Sequence, residues 1–547
     1  MSSFDKPRLS RTMSLSQITG KPTTLLSTPR STSRRGAVGD VPPPVYQNFR
    51  DEMASQDYWA RSHRDYDGPP RTKIIATIGP NTKTPEMLEK LMEAGMNVVR
   101  LNFSHGDHAY FREVVGNARA VAQKSRRLCA IMLDTKGPEI RTGLLKDGKD
   151  VQLLTGQSFT FNVDPTFVEG DNTMVHIQYA NFANVVKVND KVLLDDGLIS
   201  CRVVRVDQAK GLVHTTVEND GMLGQRKGVN LPGVVVDLPA VTEKDRRDLE
   251  FGAQIGVDLV AASFVRKAGD VHEVRRALGP QGEHIKIISK IESQEGIDNF
   301  AEILHASDGI MVARGDLGVE IPVERVALAQ KRMIAACNRV GKPVITATQM
   351  LESMCVNPSP TRAEAVDVAN AVFDGTDCVM LSGETAKGKY PVESVRMMRD
   401  ICREAESSID YESTFSHIHG SQERQFGVSE AVASSAVRTL HDVRGGVLLC
   451  MTSSGRTARQ LAMYRPAAPI LTLTDNARVS RQCLVSRGVV PLLVSSLTGT
   501  DSLIDRACEV AKKMGLVKPG DAVVVASGTI ENQSGATNML KVLKVKY

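Results

Sequence analysis

The sequence of 547 residues predicts an α/β fold: a (β/α)8 TIM-type barrel with an inserted all-β domain and a C-terminal α/β domain. From Thr72 onward, apolar β-rich runs alternate with helical stretches, which is typical of a parallel sheet with helical crossovers. Eight such runs can be counted, the number that closes a barrel. The alternation breaks once, after the third run, and a new alternating unit begins after residue 408.

These changes of pattern set the predicted domain boundaries. A disordered or helical N-terminal extension covers residues 1–68. The barrel covers residues 69–137 and 239–408, the inserted β-barrel domain residues 138–238, and the C-terminal α/β domain residues 409–547.

The N-terminal extension is rich in Ser, Thr, Arg and Pro up to about residue 45, which indicates disorder. Residues 47–64 are predicted to form a short helix that carries Trp59. Two interpretations stay open: a transit peptide to an organelle, or a regulatory or inert tail in a cytoplasmic protein. We favour the tail. Arg11–Ser14 resembles a basophilic kinase site, and no secretory apolar segment is present.

Charge and composition exclude several classes of function. Residues 1–50 carry eight Lys and Arg against two Asp; since the whole chain has a net charge of +5, the remainder is nearly neutral at −1. That balance, with 4 % aromatic residues, gives no basis for nucleic-acid binding. No apolar run approaches the roughly 18 residues of a membrane span. The nine widely spaced cysteines indicate buried thiols in a reducing compartment.

The barrel strands are predicted from apolar runs that end in polar residues. Helical spacing separates them, as over Pro85–Ala94, Glu243–Gly252 and Val323–Asn338. The predicted strands are Lys73–Ile78, Asn97–Asn102, Cys129–Asp134, Asp258–Phe264, Ile285–Glu292, Gly309–Arg314, Pro343–Thr348 and Cys378–Ser382.

The other two domains are predicted from shorter patterns. The inserted domain has turn sequences at Asp195–Gly197 and Asn219–Gly221 and no good amphipathic helix. Its predicted strands are Phe159–Val163, Met174–Gln178, Val192–Leu194, Leu198–Val206 and Leu212–Val217. In the C-terminal domain, strands Gly446–Thr452, Ile470–Leu473, Val489–Val494 and Ala522–Ala526 are predicted among helices Val428–Asp442, Thr457–Tyr464 and Ser502–Met514.

Polar side chains follow almost every barrel strand. One polar residue at a strand end is usually the start of a loop, but a ring of them at the carboxyl ends of barrel strands indicates an active site. The ring is predicted to contain Thr77, Arg100, Asn102, Asp134, Thr135, Ser263, Lys290, Glu292, Asp316, Thr348 and Ser382.

Within this ring, Glu292 and Asp316 have no His or Cys companions at ligand spacing, which favours Mg²⁺ or Mn²⁺. The alternative is that these acids pair structurally with Lys290 and Arg314. Beside a metal, Lys290 would supply fixed charge for an oxyanion or a transferring phosphoryl group.

Three further residues of the barrel and its insertion can be given candidate roles. Arg100 and Arg141 offer the fork geometry that binds phosphate or carboxylate. Thr348 could lie at the reacting carbon or simply cap the next helix.

Phosphate-binding glycine loops of the P-loop and Rossmann kinds are absent from the sequence. A different anion site is predicted in the C-terminal domain, where Thr452, Ser453, Ser454, Gly455, Arg456 and Thr457 follow a strand and open a helix. Ordinary helix capping by these hydroxyls is the alternative.

Taken together, the motifs resemble pyruvate kinase, and the resemblance covers about residues 70–547. It is carried by Thr72–Pro80 (TKIIATIGP), Asn97–His105 (NVVRLNFSH), Leu133–Gly143 (LDTKGPEIRTG), Lys227–Pro232 (KGVNLP), Ile287–Glu292 (IISKIE), Met311–Ile321 (MVARGDLGVEI), Thr346–Met354 (TATQMLESM) and Leu381–Lys387 (LSGETAK). It implies transfer of the phosphoryl group of phosphoenolpyruvate to ADP, with Mg²⁺ or Mn²⁺ and K⁺ as cofactors.

The resemblance also implies a role for each matched residue. The implied catalytic residues are Lys290, Arg100 and Thr348. The implied substrate-binding residues are these three together with Gly315 and Asp316. The implied ligands of the divalent metal are Glu292 and Asp316. The matched K⁺ site is Asn102, Ser104, Asp134 and Thr135, and the nucleotide contacts are Asn102, His105, Arg141 and Lys227. Family members with Glu at position 139 tend to need K⁺.

The remaining domains receive implied roles as well. The inserted domain would be a lid over the active site. The C-terminal domain would bind a sugar-phosphate effector at Thr452–Thr457 in a homotetramer, although its second loop, Gly528–Asn538, matches only partly. The alternative functions are an aldolase-like lyase acting on pyruvate or phosphoenolpyruvate and an idle scaffold. The inserted domain and the C-terminal domain argue against the first, and intact Lys290, Glu292, Asp316 and Thr348 argue against the second.

Overall fold

A computed structural model of the chain describes residues 70–422, 425–528 and 537–546. The predictions for the N-terminal extension, including the helix with Trp59, lie outside these residues, as does most of the loop Gly528–Asn538. No helix within the described ranges combines the length and apolar character needed to cross a membrane.

Eight parallel strands close into a barrel, which confirms the predicted fold class. Each strand pairs with its neighbour in chain order, and the last pairs with the first through Lys73 and Cys378. We number them β1 to β8: Lys73–Thr77, Val98–Asn102, Ala130–Asp134, Leu259–Ala262, Lys286–Ile291, Gly309–Ala313, Val344–Ala347 and Cys378–Leu381.

The barrel strands are buried on both faces, which is why they read as continuous apolar runs. One apolar cluster fills the barrel, with Met132, Ile288 and Met311 among its members. Leu484 and Val485, from the C-terminal domain, belong to the same cluster and therefore close the barrel at its base. A second cluster packs the outer strand faces against the helices.

Helices surround the barrel. Thr84, Thr242 and Thr361 cap three of them through their side-chain oxygens. The predicted helix from Val323 begins as a 3₁₀ turn, Val323–Arg325, and becomes α-helical from Val326. The helices are Pro85–Ala94, His108–Ser125, Glu243–Gln254, Ala268–Leu278, Gln294–Asp298, Phe300–Ala306, Arg314–Glu320, Val326–Val340, Arg362–Asp374, Gly383–Ala386 and Pro391–Ser407, with further 3₁₀ turns at Pro280–Gly282 and Glu352–Cys355.

Between β3 and β4 the chain forms a seven-stranded sheet. Its core includes Phe159, Phe161 and Phe182, whose rings meet edge to face at 5.3 and 5.5 Å. In spatial order its strands are Ile140–Arg141, Gly228–Asn230, Lys191–Leu194, Ile199–Asp207, Leu212–Val217, Ser158–Asn162 and Met174–His176. Smaller elements complete it: strand pairs Leu144–Leu145 with Glu169–Gly170 and Val151–Leu153 with Gly221–Leu223, helix Phe182–Val185, and 3₁₀ turns Lys146–Gly148 and Gln208–Lys210.

The C-terminal region forms a five-stranded sheet that is parallel except for its last strand. Its strands, in spatial order, are Val489–Leu493, Ile470–Thr474, Val447–Met451, Ala522–Gly528 and Thr537–Lys544. Its helices are Tyr411–Gly420, Val428–Asp442, Arg456–Met463, Ala477–Gln482 and Thr500–Lys513, with a 3₁₀ turn at Cys483–Val485. Buried ion pairs hold it to the base of the barrel, among them Arg465 with Asp377 at 2.7 Å.

Candidate active site

The polar ends of β2, β3 and β5 converge at the mouth of the barrel. The parallel register places Asn102 beside Asp134, and Lys290 beside Met311 of β6. Lys290 lies at the penultimate position of β5, and Glu292 follows the strand directly. Strands β2 and β3, and β5 on the far side of β4, thus bring charged groups from distant parts of the sequence into one space.

Lys290 is the centre of this group. Its Nζ lies 2.8 Å from Glu292 Oε1 and 3.3 Å from Asp134 Oδ1, and it donates a hydrogen bond of 2.8 Å to Ser263 Oγ. Only 8 % of the residue is exposed. The ammonium group is therefore held by three contacts in a position fixed by the barrel.

Burial alone would lower the pKa of Lys290, but Asp134 and Glu292 outweigh that effect and raise the pKa above its usual value. The carboxyl of Asp134 shows the reverse balance. Burial would raise its pKa, yet Arg100 and Lys290 hold the pKa below its ordinary range. Lys290 is therefore a permanent cation, suited to stabilising charge rather than to moving a proton.

Arg100 is the second fixed cation of the site. Its Nε donates to Asp134 Oδ2 at 2.6 Å, and its Nη1 donates to Thr77 Oγ1 at 2.8 Å. Its Nη2 makes no hydrogen bond with any residue in the described part of the chain. That face of the guanidinium keeps donors for an anionic ligand.

Glu292 is fully buried, with 0 % of the residue exposed. Its Oε2 accepts a hydrogen bond from the Phe264 amide, whereas Oε1 has no hydrogen-bond donor among the described residues, although Lys290 Nζ is close to it. The two observations agree if the contact with Lys290 is ionic and poorly aligned. Burial raises the pKa of Glu292, Lys290 lowers it and Asp316 raises it further; the net direction is upward.

Asp316 lies in the first turn of the helix that follows β6, Arg314–Glu320. It makes no hydrogen bond or ion pair with any described residue, and it lines the cavities on both sides of it. The alternative pairing of Asp316 with Arg314 is not what the structure has. Arg314 instead donates to Asp367 and to the Thr348 carbonyl, each at 2.7 Å.

The pair of carboxylates at Glu292 and Asp316 suits a hard divalent cation. Both offer oxygen ligands, one has a buried oxygen without a hydrogen bond, and the other is unpaired beside it. No cluster of three or more His, Cys, Asp and Glu at metal spacing exists within the described ranges. Mg²⁺ usually takes one or two carboxylates and completes its shell with water and substrate oxygens, so these two residues fit it.

Thr348 adopts a left-handed backbone conformation with φ of +69°, as does Gln349 at +53°. A β-branched residue there is a genuine outlier, and such strain collects at functional sites. Thr348 Oγ1 accepts a 2.7 Å hydrogen bond from the Gly315 amide and donates to the Ala347 carbonyl at 2.6 Å. These contacts place the Thr348 hydroxyl on a first-turn amide of helix Arg314–Glu320, and it does not cap the helix that follows it in the chain.

The residues predicted for a monovalent cation lie at the ends of β2 and β3. Asn102 Oδ1 accepts from the Ser104 amide at 3.1 Å, and Thr135 Oγ1 accepts from the Ser263 amide at 3.0 Å. With the Asp134 carboxylate they form a set of oxygen donors, the ligand type that K⁺ requires. The structure brings these four residues to neighbouring strand ends.

The predicted nucleotide contacts are more dispersed. His105 is exposed on the loop after β2. Arg141 pairs with Glu139 through Nε at 2.7 Å, and Lys227 pairs with Asp195 at 2.9 Å. Arg141 and Lys227 line a cavity of about 350 Å³ between the seven-stranded sheet and the barrel, and this cavity also contains Asp316.

Several residues of this cavity were not predicted as site residues. Asp196 is one: the sequence indicated only a turn at Asp195–Gly197, yet all three residues have positive φ and Asp196 faces Asp316. Burial, and then Asp316, raise the pKa of Asp196. Asn230 joins the two parts through a 2.8 Å hydrogen bond to Glu320 Oε1. The approach of Asp196 to Asp316 arises only in the folded chain, so the turn sequence by itself could not indicate it.

The predicted effector loop is compact. Gly455, with φ of +77°, donates to Thr452 Oγ1 at 2.9 Å and precedes helix Arg456–Met463. Thr457 exchanges a 2.7 Å hydrogen bond with Thr537 of the last strand. Ser453 is half-buried, while Ser454 and Arg456 are exposed. Capping and anion binding are both compatible with these contacts.

As a whole, the mouth of the barrel combines two fixed cations, two carboxylates suited to a divalent metal, and a strained hydroxyl beside a cavity. Phosphoryl transfer needs these groups, because its transition state is stabilised mainly by positioned charge. A covered cavity also excludes water from the reaction.

Two family models match the chain. One, described as "Pyruvate kinase, barrel domain", matches residues 69–395, and another, described as "Pyruvate kinase, alpha/beta domain", matches residues 430–543. A "Pyruvate kinase" of Dictyostelium discoideum is 51 % identical over 479 residues, covering 87 % of this chain and 94 % of that protein. A "Pyruvate kinase, cytosolic isozyme" of Solanum tuberosum is 49 % identical, covering 87 % and 96 %. "Pyruvate kinase PKLR" of Homo sapiens is 48 % identical, covering 87 % and 85 %.

Proposed function

The chain belongs to the pyruvate kinase family, and from that premise we propose that the charged groups at the mouth of its barrel carry out the phosphoryl transfer. As a pyruvate kinase, the enzyme transfers the phosphoryl group of phosphoenolpyruvate to ADP and forms pyruvate and ATP in glycolysis. The observation that carries the assignment of the site is the contact of buried Lys290 with Glu292 and Asp134, beside unpaired Asp316.

Lys290 and Arg100 bind the phosphoryl group and the enolate oxygen of the substrate. Both contact Asp134, Arg100 through Oδ2 at 2.6 Å and Lys290 through Oδ1 at 3.3 Å, so one carboxylate holds both cations. Because the phosphoryl transition state is loose and rich in charge, fixed cations stabilise it without reorganisation. Gly315 and Asp316 complete the substrate contacts.

Glu292 and Asp316 would hold the divalent cation, Mg²⁺ or Mn²⁺, on which enzymes of this family generally depend. When bound, the cation neutralises charge on phosphoryl oxygens. Asn102, Ser104, Asp134 and Thr135 would hold K⁺, and Glu139 pairs with Arg141 nearby. The oxygen donors described above support both assignments.

Thr348 positions the proton that the enolate carbon receives. Its hydroxyl donates to the Ala347 carbonyl and accepts from Gly315, so it is held in one orientation beside the cavity that Asp316 lines. Protonation of the enolate to pyruvate then makes the transfer favourable. A water molecule hydrogen-bonded to the Thr348 hydroxyl would supply the proton.

The inserted domain, predicted over residues 138–238, acts as a lid that binds ADP. Asn102, His105, Arg141 and Lys227 are the proposed nucleotide contacts, and closing the lid excludes water as an acceptor. In the described arrangement Arg141 and Lys227 are paired with acids of the same domain. We expect the nucleotide phosphates to replace these carboxylates.

The C-terminal domain, predicted over residues 409–547, binds a sugar-phosphate effector at Thr452–Thr457 in a cytoplasmic homotetramer. Relatives named as cytosolic isozymes support the location. Apolar residues exposed on neighbouring elements of the barrel, including Val323, Leu328 and Val366, support subunit contacts. Molar mass by light scattering tests the subunit number, and it should equal four chains.

The function is tested by measuring pyruvate formation from phosphoenolpyruvate with and without ADP. We expect turnover that requires ADP, a divalent cation and K⁺. Pyruvate release that does not need ADP would favour the lyase alternative or a phosphatase, and the absence of product would favour a scaffold. The matched control for the monovalent site replaces K⁺ by a larger organic cation at the same ionic strength, which removes K⁺ without changing the salt concentration.

A further inference from the structure

Two chain connections join the inserted sheet to the barrel. The outgoing connection leaves β3 at Asp134 and enters strand Ile140–Arg141. The returning connection leaves strand Gly228–Asn230 and reaches helix Glu243–Gln254, which Thr242 caps. Any movement of the sheet relative to the barrel must be accommodated in these two segments.

The outgoing connection is fixed at Gly137. Its φ is +73°, and a Cβ there would lie 2.8 Å from Ser263 Cβ and 2.9 Å from a ring carbon of Phe264. Its amide donates a 3.1 Å hydrogen bond to Asp245 Oδ1. This backbone position therefore requires glycine and is tied to a buried carboxylate.

Asp245 also holds the end of the returning connection. Its Oδ2 accepts from the Thr242 amide at 3.0 Å and from the Thr242 hydroxyl at 2.5 Å, and only 2 % of the residue is exposed. One carboxylate thus uses one oxygen for each connection. Loss of either bond would leave a buried polar group unsatisfied.

Arg266 holds the returning connection from its other side. Its Nη1 donates to the Val236 carbonyl at 2.7 Å and its Nη2 to the Leu238 carbonyl. The residue is 7 % exposed, and Asp270 Oδ2 accepts from its amide at 2.9 Å. A guanidinium that donates to two carbonyls two residues apart fixes the direction of that chain segment.

The same loop after β4 also contacts the catalytic groups. Ser263 Oγ accepts from Lys290, and the Phe264 amide donates to Glu292. Gly137 packs against Ser263 and Phe264, and Arg266 follows Phe264 by two positions. The loop 263–266 therefore touches the active site on one side and both lid connections on the other.

We propose that Asp245 and Arg266 are positioning residues for the lid: Asp245 ties its two hinges to each other, and Arg266 anchors the returning hinge to the loop 263–266, so that lid closure and the placement of Lys290 and Glu292 depend on each other. The inference rests on the lid role given to the inserted domain above. Neither residue contacts the reacting atoms. Their loss should loosen the hinges and admit water to the phosphoryl group.

The test uses Arg266→Lys and Asp245→Asn in the full-length enzyme. Arg275→Lys is the matched control, because Arg275 also donates to two backbone carbonyls, those of Glu283 and Ile285, but away from the lid connections. Two readouts are measured. One is phosphate released per ATP formed, since transfer to water breaks the same phosphoryl–oxygen bond of the substrate and forms a bond to water instead. The other is amide hydrogen exchange of residues 135–141 and 231–242.

For both anchor variants, we expect the ratio of phosphate to ATP to rise about tenfold and hinge exchange to quicken about tenfold, the effect of losing one hydrogen bond to a charged group. The control should leave both readouts at the wild-type value even if it lowers the unfolding temperature. Folded anchor variants with unchanged ratio and exchange would overturn the inference, and so would a control that shifts them equally. Absence of ADP-dependent turnover in the wild type would instead refute the proposed function. The rate of amide hydrogen exchange in residues 135–141 and 231–242 would then still show whether Asp245 and Arg266 restrain the hinges.

Discussion

Replacing Lys290 with Met removes a buried ammonium group and changes little in volume. In the structure that group lies 2.8 Å from Glu292 Oε1 and 3.3 Å from Asp134 Oδ1. Removing one preorganised charge aimed at the transition state costs about 10²–10³-fold in kcat. We therefore expect kcat for pyruvate formation to fall by at least that factor, with a smaller change in KM.

The same change also affects stability. Breaking a buried ion pair by removing one partner typically costs about 3–5 kcal/mol. Arg100 keeps its 2.6 Å contact with Asp134, so the group left without a partner is mainly Glu292, whose pKa burial already raises and which can take up a proton. We expect the free energy of unfolding to fall by about 3 kcal/mol, the lower end of that range, and a bound divalent cation should restore part of it.

Lys286→Met is the matched control for this experiment. Lys286 begins the same strand, pairs with Asp308 at 3.0 Å and lies at the opposite end of the barrel, with its side chain 33 % exposed. Steady-state kinetics at saturating substrates should show kcat within about twofold of wild type for the control, because Lys286 pairs with Asp308 and directs no charge at the transition state. A Lys290→Met enzyme within about tenfold of wild type would refute the role given to Lys290.

Three further predictions follow from single sites. Burial lowers the pKa of Lys73 from 10.5 to about 8, so the protonated form of this side chain is disfavoured in the folded chain. Between pH 8 and 10.5 only the unfolded chain keeps the proton. The free energy of unfolding should therefore be lower at pH 7 and rise across that interval. Lys73→Met should therefore raise the free energy of unfolding by about 3 kcal/mol at pH 7 and by little near pH 10, measured with urea; a variant that is less stable at pH 7 would contradict this. Thr348→Val should slow deuterium incorporation from solvent into the pyruvate methyl group by about 10–100-fold, and Thr348→Ser should recover most of it, because only Ser keeps the hydroxyl; equal rates in both variants would exclude the hydroxyl. Replacing Thr452 and Ser454 together by Ala should abolish activation by a phosphorylated sugar and leave the basal rate unchanged, whereas unchanged activation curves would remove the effector role from this loop.

The barrel could be predicted from the sequence because its strands are covered on both faces. Such strands read as uninterrupted apolar runs, as in Gly309–Ala313, and their predicted ends lie within two residues of the observed ones. The C-terminal sheet was predicted for the same reason, apart from its last strand. In Thr537–Lys544, at the edge of the sheet, only Thr537 is buried and the other residues are half-buried or exposed, so the strand has no continuous apolar run.

Two short strands of the seven-stranded sheet were not predicted. Ile140–Arg141 and Gly228–Asn230 contain two and three residues, too few to establish an alternating pattern. They form because they pair with each other, and Gly228–Asn230 also pairs with Lys191–Leu194, so that each strand depends on a partner distant in sequence. Pairing of this kind depends on the finished sheet and has no local signal.

The candidate site likewise contains residues that could be predicted from the sequence and residues that could not. Lys290 and Glu292 were predicted to face one space because both end one strand, and Lys290 does lie against Glu292. The roles assigned to these residues remain proposals. Ser263 was predicted among the polar strand ends and does accept a hydrogen bond from Lys290. Asp245 and Arg266 contact the lid connections only through tertiary packing, so their part could be found only from the structure.

A crystal structure with Mn²⁺ and phosphoenolpyruvate, with data collected at the manganese absorption edge, tests the central claim most directly. The account predicts one anomalous peak bound by the carboxylates of Glu292 and Asp316, with the substrate phosphoryl group contacting both Lys290 Nζ and Arg100. A manganese ion held elsewhere, or a substrate phosphoryl group that contacts neither cation, would contradict it.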